Sequence, residues 1–222
     1  VDIGREEGVV FKTGVNAGID YPADKLLADF DAMCLAGGCR VPRDLKIEGR
    51  QLKGIYFAMD YLTQSNRRAC GEKILDEQLI DAKGKKVVVI GGGDSGADCV
   101  GTAHRQGANC VVQIEVMPRP DECRSPSQPW PKYPLILKVS SSHEEGGERK
   151  WQVLTKRFIG QRGQVKKLVC VQVEFIPAEG KTCPVMREVS GSEFEIDADL
   201  VILAVGFLSP EQAGLLNDLG EE

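Results

Sequence analysis

Apolar residues come in short bursts along the chain, and the spacing within each burst identifies the element it builds. Val87, Val88, Val89 and Ile90 are consecutive, as in a strand buried on both faces. They run into Gly91-Gly92-Gly93-Asp94-Ser95-Gly96, after which Ala97, Val100 and Ala103 recur at helical spacing as far as about Gln106, with Gly107 as the cap. Val111 to Val116 is a second strand. Upstream, residues 54–67 read as an amphipathic helix with Ile55, Ala58, Met59 and Leu62 on one face, and residues 71–85 as a polar approach. Downstream, 151–159, 165–176 and 185–196 have strand character with turns between them, which predicts an antiparallel meander, and Ala198 to Val205 is a final strand. Near the start, 8–18 and 30–38 read as strands and Tyr21 to Phe30 as a helical turn. Residues 117–134 are proline-rich and predict an ordered or semi-rigid loop, and 135–150 a strand or short helix ending in a polar turn. Strand, glycine turn, helix, strand is the order of a Rossmann-type α/β parallel sheet, here with a β-meander attached.

The glycine turn carries the first chemistry. Gly91, Gly93 and Gly96 stand in G-x-G-x-x-G spacing between strand and helix. In that pattern the first glycine permits the tight turn, the second lets backbone approach a pyrophosphate, and the third allows close helix–strand packing. Amides at the helix start face the anion with the positive end of the helix dipole behind them. The cofactor-binding residues expected are Gly91, Gly92, Gly93, Asp94, Ser95 and Gly96. About 20 residues on, at the end of the second strand, Glu115 is placed to accept hydrogen bonds from the ribose hydroxyls of NAD and to repel a 2′-phosphate. The other reading of Glu115 is a carboxylate facing water. Arg119 and Arg124 stand nearby and offer a phosphate partner from the loop, so NADH is the expected cofactor and NADPH the alternative.

Composition narrows the alternatives. A net charge of −5 offers no basic patch for nucleic acid. No apolar run approaches the ~18 residues of a membrane span. The eight cysteines are scattered without a C-x-x-C pair, so neither a disulfide framework nor a metal site within the chain is expected. Cys34, Cys99 and Cys170 lie in apolar segments and read as small buried hydrophobes, and a reduced, cytoplasmic setting follows. His143-Glu144-Glu145 lacks the second histidine of a zinc motif and reads as a solvated polar turn. His104, near a helix C-terminus, gets no chemistry. Trp130 reads either as a wall of the nicotinamide site or as a pin for its loop. No catalytic side chain is expected, because hydride transfer is carried by the cofactors.

One pattern occurs twice. Phe30 to Gly38 and Ala198 to Gly206 each have an aspartate, an apolar run and Ala-x-Gly. This resembles flavoenzymes with two nested dinucleotide-binding domains, where such a strand ends beside a nucleotide, and the resemblance implies Ala204 and Gly206 as cofactor-binding residues. Together with Arg43-Asp44-Leu45, Gly54 to Leu62, Gly84 to Gly96, Pro129-Trp130-Pro131, His143-Glu144-Glu145, Leu154 to Phe158 and Leu203 to Phe207, these segments resemble the small (beta) subunit of glutamate synthase over essentially the whole chain.

The resemblance implies two nested dinucleotide-binding domains, for FAD and for NAD(P). Residues 1–41 would be a remnant of the FAD-binding domain, 42–206 the inserted NAD(P)-binding domain, and 207–222 the start of the return to the first. It implies hydride transfer from NAD(P)H to FAD, iron–sulfur clusters outside this chain, and a large (alpha) subunit that makes glutamate from glutamine and 2-oxoglutarate. The absence of a starting Met and the end at Glu221-Glu222 read as a piece of a longer protein, one without the segments that hold FAD tightly. Alternatives are the same electron-input module serving a sulfide, ferredoxin or pyrimidine reductase acceptor, or a non-catalytic nucleotide-binding module.

Overall fold

The computed structural model describes residues 2–126, 128–177 and 184–220. The chain divides into two compact units, Val1–Pro42 with Phe207–Glu222, and Arg43–Gly206.

The larger unit is built on a five-stranded parallel sheet in the spatial order Ile55–Phe57, Leu200–Leu203, Lys86–Ile90, Cys110–Glu115, Glu148–Trp151. Side chains alternate between its faces. Val88, Ile90, Val112, Ile114, Val201 and Leu203 pack against Val153, Phe158, Leu168, Cys170 and Ile196 of an antiparallel layer. Val87, Val89, Val111, Leu200 and Ile202 pack against Ala58 and Tyr61 of helix Ala58–Ala69 and against Cys99, Val100 and Ala103 of helix Asp94–Arg105. Both faces are covered, which is why the central strands read as unbroken apolar runs. Burial pushes the Cys99 thiol up to about 12, so it behaves as a hydrophobe. The antiparallel layer runs Val153–Gln161, then Gln164–Ile176, whose other edge is taken by Val185–Glu188 and Phe194–Asp197.

Two strands predicted as single pieces are broken. Trp151 belongs to the parallel sheet and Val153 to the antiparallel layer. Between them Gln152, at φ +58°, swings the chain from one sheet to the other, with its N–H donated to the Met117 carbonyl. The segment 185–196 is two strands because Gly191, at φ +74°, interrupts the extended backbone.

In the smaller unit, helices Asp2–Glu6, Ala23–Asp29 and Leu215–Leu219 accompany one short antiparallel pair, Val41–Pro42 with Phe207–Ser209. The strands predicted over 8–18 and 30–38 do not form. Among the described residues no strand pairs with either, and an apolar run without a ladder neighbour leaves its backbone groups to water. Cys34, expected buried, is exposed there. Cys99 and Cys170 are buried as expected, whereas Cys183 lies outside the described residues. Among the described residues no helix is long and apolar enough to cross a membrane.

Candidate dinucleotide site

The strand Lys86–Ile90 ends at Gly91, whose backbone sits at φ +123°. A Cβ there would lie 2.2 Å from the carbonyl oxygen of Ala204, a backbone atom that cannot yield. Ala204 is held in turn, its N–H donated to the Ile90 carbonyl at 2.8 Å. A Cβ on Gly96 would meet the Gly91 carbonyl at 2.3 Å, so the first helical turn lies directly on the glycine turn. Gly93 is different: a Cβ would find nothing within 4 Å, so its face is open. Gly93 is also the cap position of helix Asp94–Arg105, and no side chain caps it. The first-turn N–H groups, which have no partner within a helix, therefore have no side-chain cap where a ligand would approach.

Glu115 ends the second strand. Its carboxylate accepts from Gly92 N–H at 2.6 Å (Oε2) and from Met117 N–H at 3.0 Å (Oε1). The side chain is thereby fixed against the glycine turn with lone pairs remaining on both oxygens.

These parts border a groove of about 350 Å³. Its lining includes Gly92, Gly93, Asp94, Ala97 and Glu115, together with Lys138, Ser140, His143, Arg149 and Trp151. Trp151 lies beside Glu115 in register on the next strand. The guanidinium groups of Arg149 and Arg119 lie 5.0 and 5.7 Å from its ring centre. Burial, and then the neighbouring Arg119, lower the Arg149 pKa, because both make a further positive charge harder to hold.

The structure thus brings Gly92, Gly93, Asp94 and Glu115 to one groove, with Gly91 and Gly96 shaping the turn beneath it. Ser95 lies in the first helical turn and Arg119 against Trp151, both outside the lining. Ala204 acts through its backbone beside Gly91. Gly206, at φ +87°, accepts from Arg43 N–H at 2.9 Å and is outside the lining. Arg124 donates to the carbonyls of Gln128 and Lys132 and so braces its own loop. Trp130 is 83% exposed and outside the lining.

His143 corrects the expectation of a solvated turn. It sits in the groove wall with its Nε2 2.9 Å from Gln113 Oε1. Sequence reading also missed Lys138, Arg149 and Trp151. The apolar pattern over 151–159 joins Trp151 to the following strand, which hides that the edge strand Glu148–Trp151 of the parallel sheet ends level with Glu115.

The family model for pyridine nucleotide-disulphide oxidoreductases matches residues 1–220, and the chain belongs to that family. More particularly, it is a homologue of glutamate synthase small chains. It is 53% identical over 219 residues to the "Glutamate synthase [NADPH] small chain" of Mycobacterium tuberculosis, an alignment covering 97% of this chain and 44% of that one. It is 41% identical to the "Glutamate synthase [NADH]" of Schizosaccharomyces pombe, over 93% of this chain and 10% of that protein. The chain therefore spans less than half the length of these relatives. Among solved structures, the oxidoreductase FprA of Mycobacterium tuberculosis aligns at a TM-score of 0.62 with 18% identity, over 90% of this chain and 55% of that one, which is a likeness of fold.

Proposed function

We propose that residues 42–206 are the nicotinamide-nucleotide domain of a flavin oxidoreductase of the glutamate synthase type, and that residues 1–41 and 207–222 belong to its FAD-binding domain. The observation that carries this is the glycine turn. Gly91 and Gly96 sit where no Cβ fits, and they lead to an uncapped helix start that opens on a groove beside Glu115. Gly92 to Ser95 would hold the pyrophosphate, and Glu115 the adenosine ribose. The nicotinamide supplies a hydride when bound, with FAD as acceptor in the whole protein. The chain's own part is to fix distance and orientation, and no side chain is assigned a catalytic role. The resemblance extends this to iron–sulfur clusters elsewhere in the protein and a large subunit that forms glutamate in the cytoplasm. The same module serving a different terminal acceptor is the alternative.

The carboxylate of Glu115, already oriented by two backbone N–H groups, supports a preference for NADH, because it matches a ribose diol and repels a 2′-phosphate. One observation favours NADPH as a second reading. Arg119 and Arg149 flank Trp151 on the neighbouring strand, and among the described residues no carboxylate pairs with Arg149.

Titration calorimetry with both nucleotides separates these readings. NADH is expected to bind about tenfold more tightly than NADPH, the size of one lost charge-assisted contact. Tighter NADPH binding would overturn the ribose assignment. Binding of neither would leave the non-catalytic module as the better account.

A further inference from the structure

Three parallel strands end side by side in the order Lys86–Ile90, Cys110–Glu115, Glu148–Trp151. The first runs into the glycine turn, the second ends on the Glu115 carboxylate, and the third ends on Trp151, paired in register with Glu115. Neighbouring strands lie about 4.8 Å apart, and residues paired in register share a face of the sheet. In the nucleotide, the pyrophosphate joins the 5′ carbon of the ribose and the base joins its 1′ carbon, so the ribose stands between them. With the pyrophosphate on the turn and the ribose diol on Glu115, the adenine falls at the next strand end, which is Trp151.

The chemistry of that corner suits a flat ring. The Met117 carbonyl accepts from Gln152 N–H at 3.1 Å, which fastens the segment after Glu115 to the residue after Trp151. Met117, Pro118 and Pro120 of this segment line the groove together with the partly buried indole. Neither proline has an N–H, and that of Met117 is engaged by Glu115 Oε1, so contact by area is better provided than donors to a base edge. The two guanidinium groups near the ring do not close the corner. Arg149 is tied to the Lys138 carbonyl at 3.0 Å. Arg119 is held by an ion pair with Glu122 in which both side chains are exposed, a contact worth little against water. An arginine that leaves the ring therefore costs little, and one that stays offers the base a second flat surface.

We propose that Trp151 is the residue on which the adenine of the dinucleotide stacks. This rests on the nicotinamide-nucleotide reading above and adds the base to it. Stacking on an aromatic face recognises the purine and is indifferent to the 2′ position, so it serves NADH and NADPH alike. A Trp151 that merely braced its strand end would make no contact with the base, and one that merely placed Arg119 and Arg149 would matter for a 2′-phosphate alone.

The chain has two tryptophans, and Trp130 is 83% exposed and outside the lining, so Trp130→Phe leaves Trp151 as the one indole reporter. The probe is ADP-ribose, which carries the adenosine and pyrophosphate without the nicotinamide. In the saturated Trp130→Phe protein, nuclear Overhauser effects are expected between adenine H2 or H8 and the indole protons. Tryptophan emission is expected to be quenched, half-saturating at the calorimetric Kd. Trp151→Leu is expected to weaken ADP-ribose about tenfold, the size of one base–aromatic stack, and Trp151→Phe to bind within about threefold of wild type. NADH and NADPH are expected to weaken alike in Trp151→Leu, because both carry adenine. Bound ADP-ribose without those Overhauser effects, a Trp151→Leu variant that matches wild type, or a loss confined to NADPH would each overturn the proposal. Failure of the wild type to bind ADP-ribose, NADH or NADPH would overturn the nucleotide reading itself, and this inference with it.

Discussion

Gly91→Ala is expected to abolish dinucleotide binding and to destabilise the Arg43–Gly206 unit by about 3 kcal/mol or more, the range for a forced backbone conformation combined with overpacking. Two costs coincide. The backbone at φ +123° lies where L side chains rarely go, and the added methyl would stand 2.2 Å from the Ala204 carbonyl oxygen. Relief requires either the turn or the strand end Leu203-Ala204 to move, and both carry inter-strand hydrogen bonds: Gly91 N–H to the Ile114 carbonyl, and Ala204 N–H to the Ile90 carbonyl. For a unit of this size the expected fall in melting temperature is roughly 6–12 °C, measurable by circular dichroism or calorimetry. Gly93→Ala is the informative control, because a Cβ there meets nothing within 4 Å. It should leave the melting temperature nearly unchanged while reducing nucleotide affinity, since its open face is where a phosphate would approach. A Gly91→Ala protein with wild-type stability would contradict the packing described.

The second large effect is expected at Glu115. Glu115→Ala should weaken NADH about 30- to 100-fold, the loss of two charge-assisted hydrogen bonds to the ribose after allowance for exchange with water. NADPH should suffer less, because removing a carboxylate also removes its repulsion of a 2′-phosphate. The ratio of the two affinities, read by calorimetry, is therefore expected to shift toward NADPH by about tenfold. Using the ratio separates ribose recognition from the other work of this side chain. Glu115 also holds the N–H groups of Gly92 and Met117, and losing those contacts would disturb both nucleotides alike. Equal losses for NADH and NADPH would mean that Glu115 serves the loop alone.

The parts of the fold legible in the sequence are those in which local pattern and tertiary environment agree. The run Val87 to Ile90 announces a strand covered on both faces, and the helix after Gly96 shows its buried stripe in Ala97, Val100 and Ala103. The parts that were not legible depend on pairing. Residues 30–38 have the composition of the Leu200–Leu203 strand, but the latter is paired on both sides, by Ile55–Phe57 and Lys86–Ile90, whereas the former finds no neighbour among the described residues. Hydrophobicity proposes a strand, and a ladder partner decides it.

The site divides in the same way. One part is a contiguous motif, from Gly91 to Gly96, with Glu115 at a fixed distance along the chain. The rest of the lining comes from residues that lack a motif: Arg149 and Trp151, brought in by the parallel pairing of Glu148–Trp151 with Cys110–Glu115, and Lys138 and His143 from the segment before that strand. The histidine illustrates the difficulty. In the sequence it heads a polar run of two acids and two glycines, and only the neighbouring strand supplies the amide of Gln113 that gives it a partner.

Backbone amide NMR on adding NADH reports whether a nicotinamide dinucleotide binds at the glycine turn. The largest shifts are expected at Gly92, Gly93, Asp94 and Ser95, with smaller ones at Glu115, His143 and Trp151, saturating with the calorimetric affinity. Saturable NADH binding that leaves the amides of Gly92 to Ser95 unmoved would put the dinucleotide elsewhere on the protein.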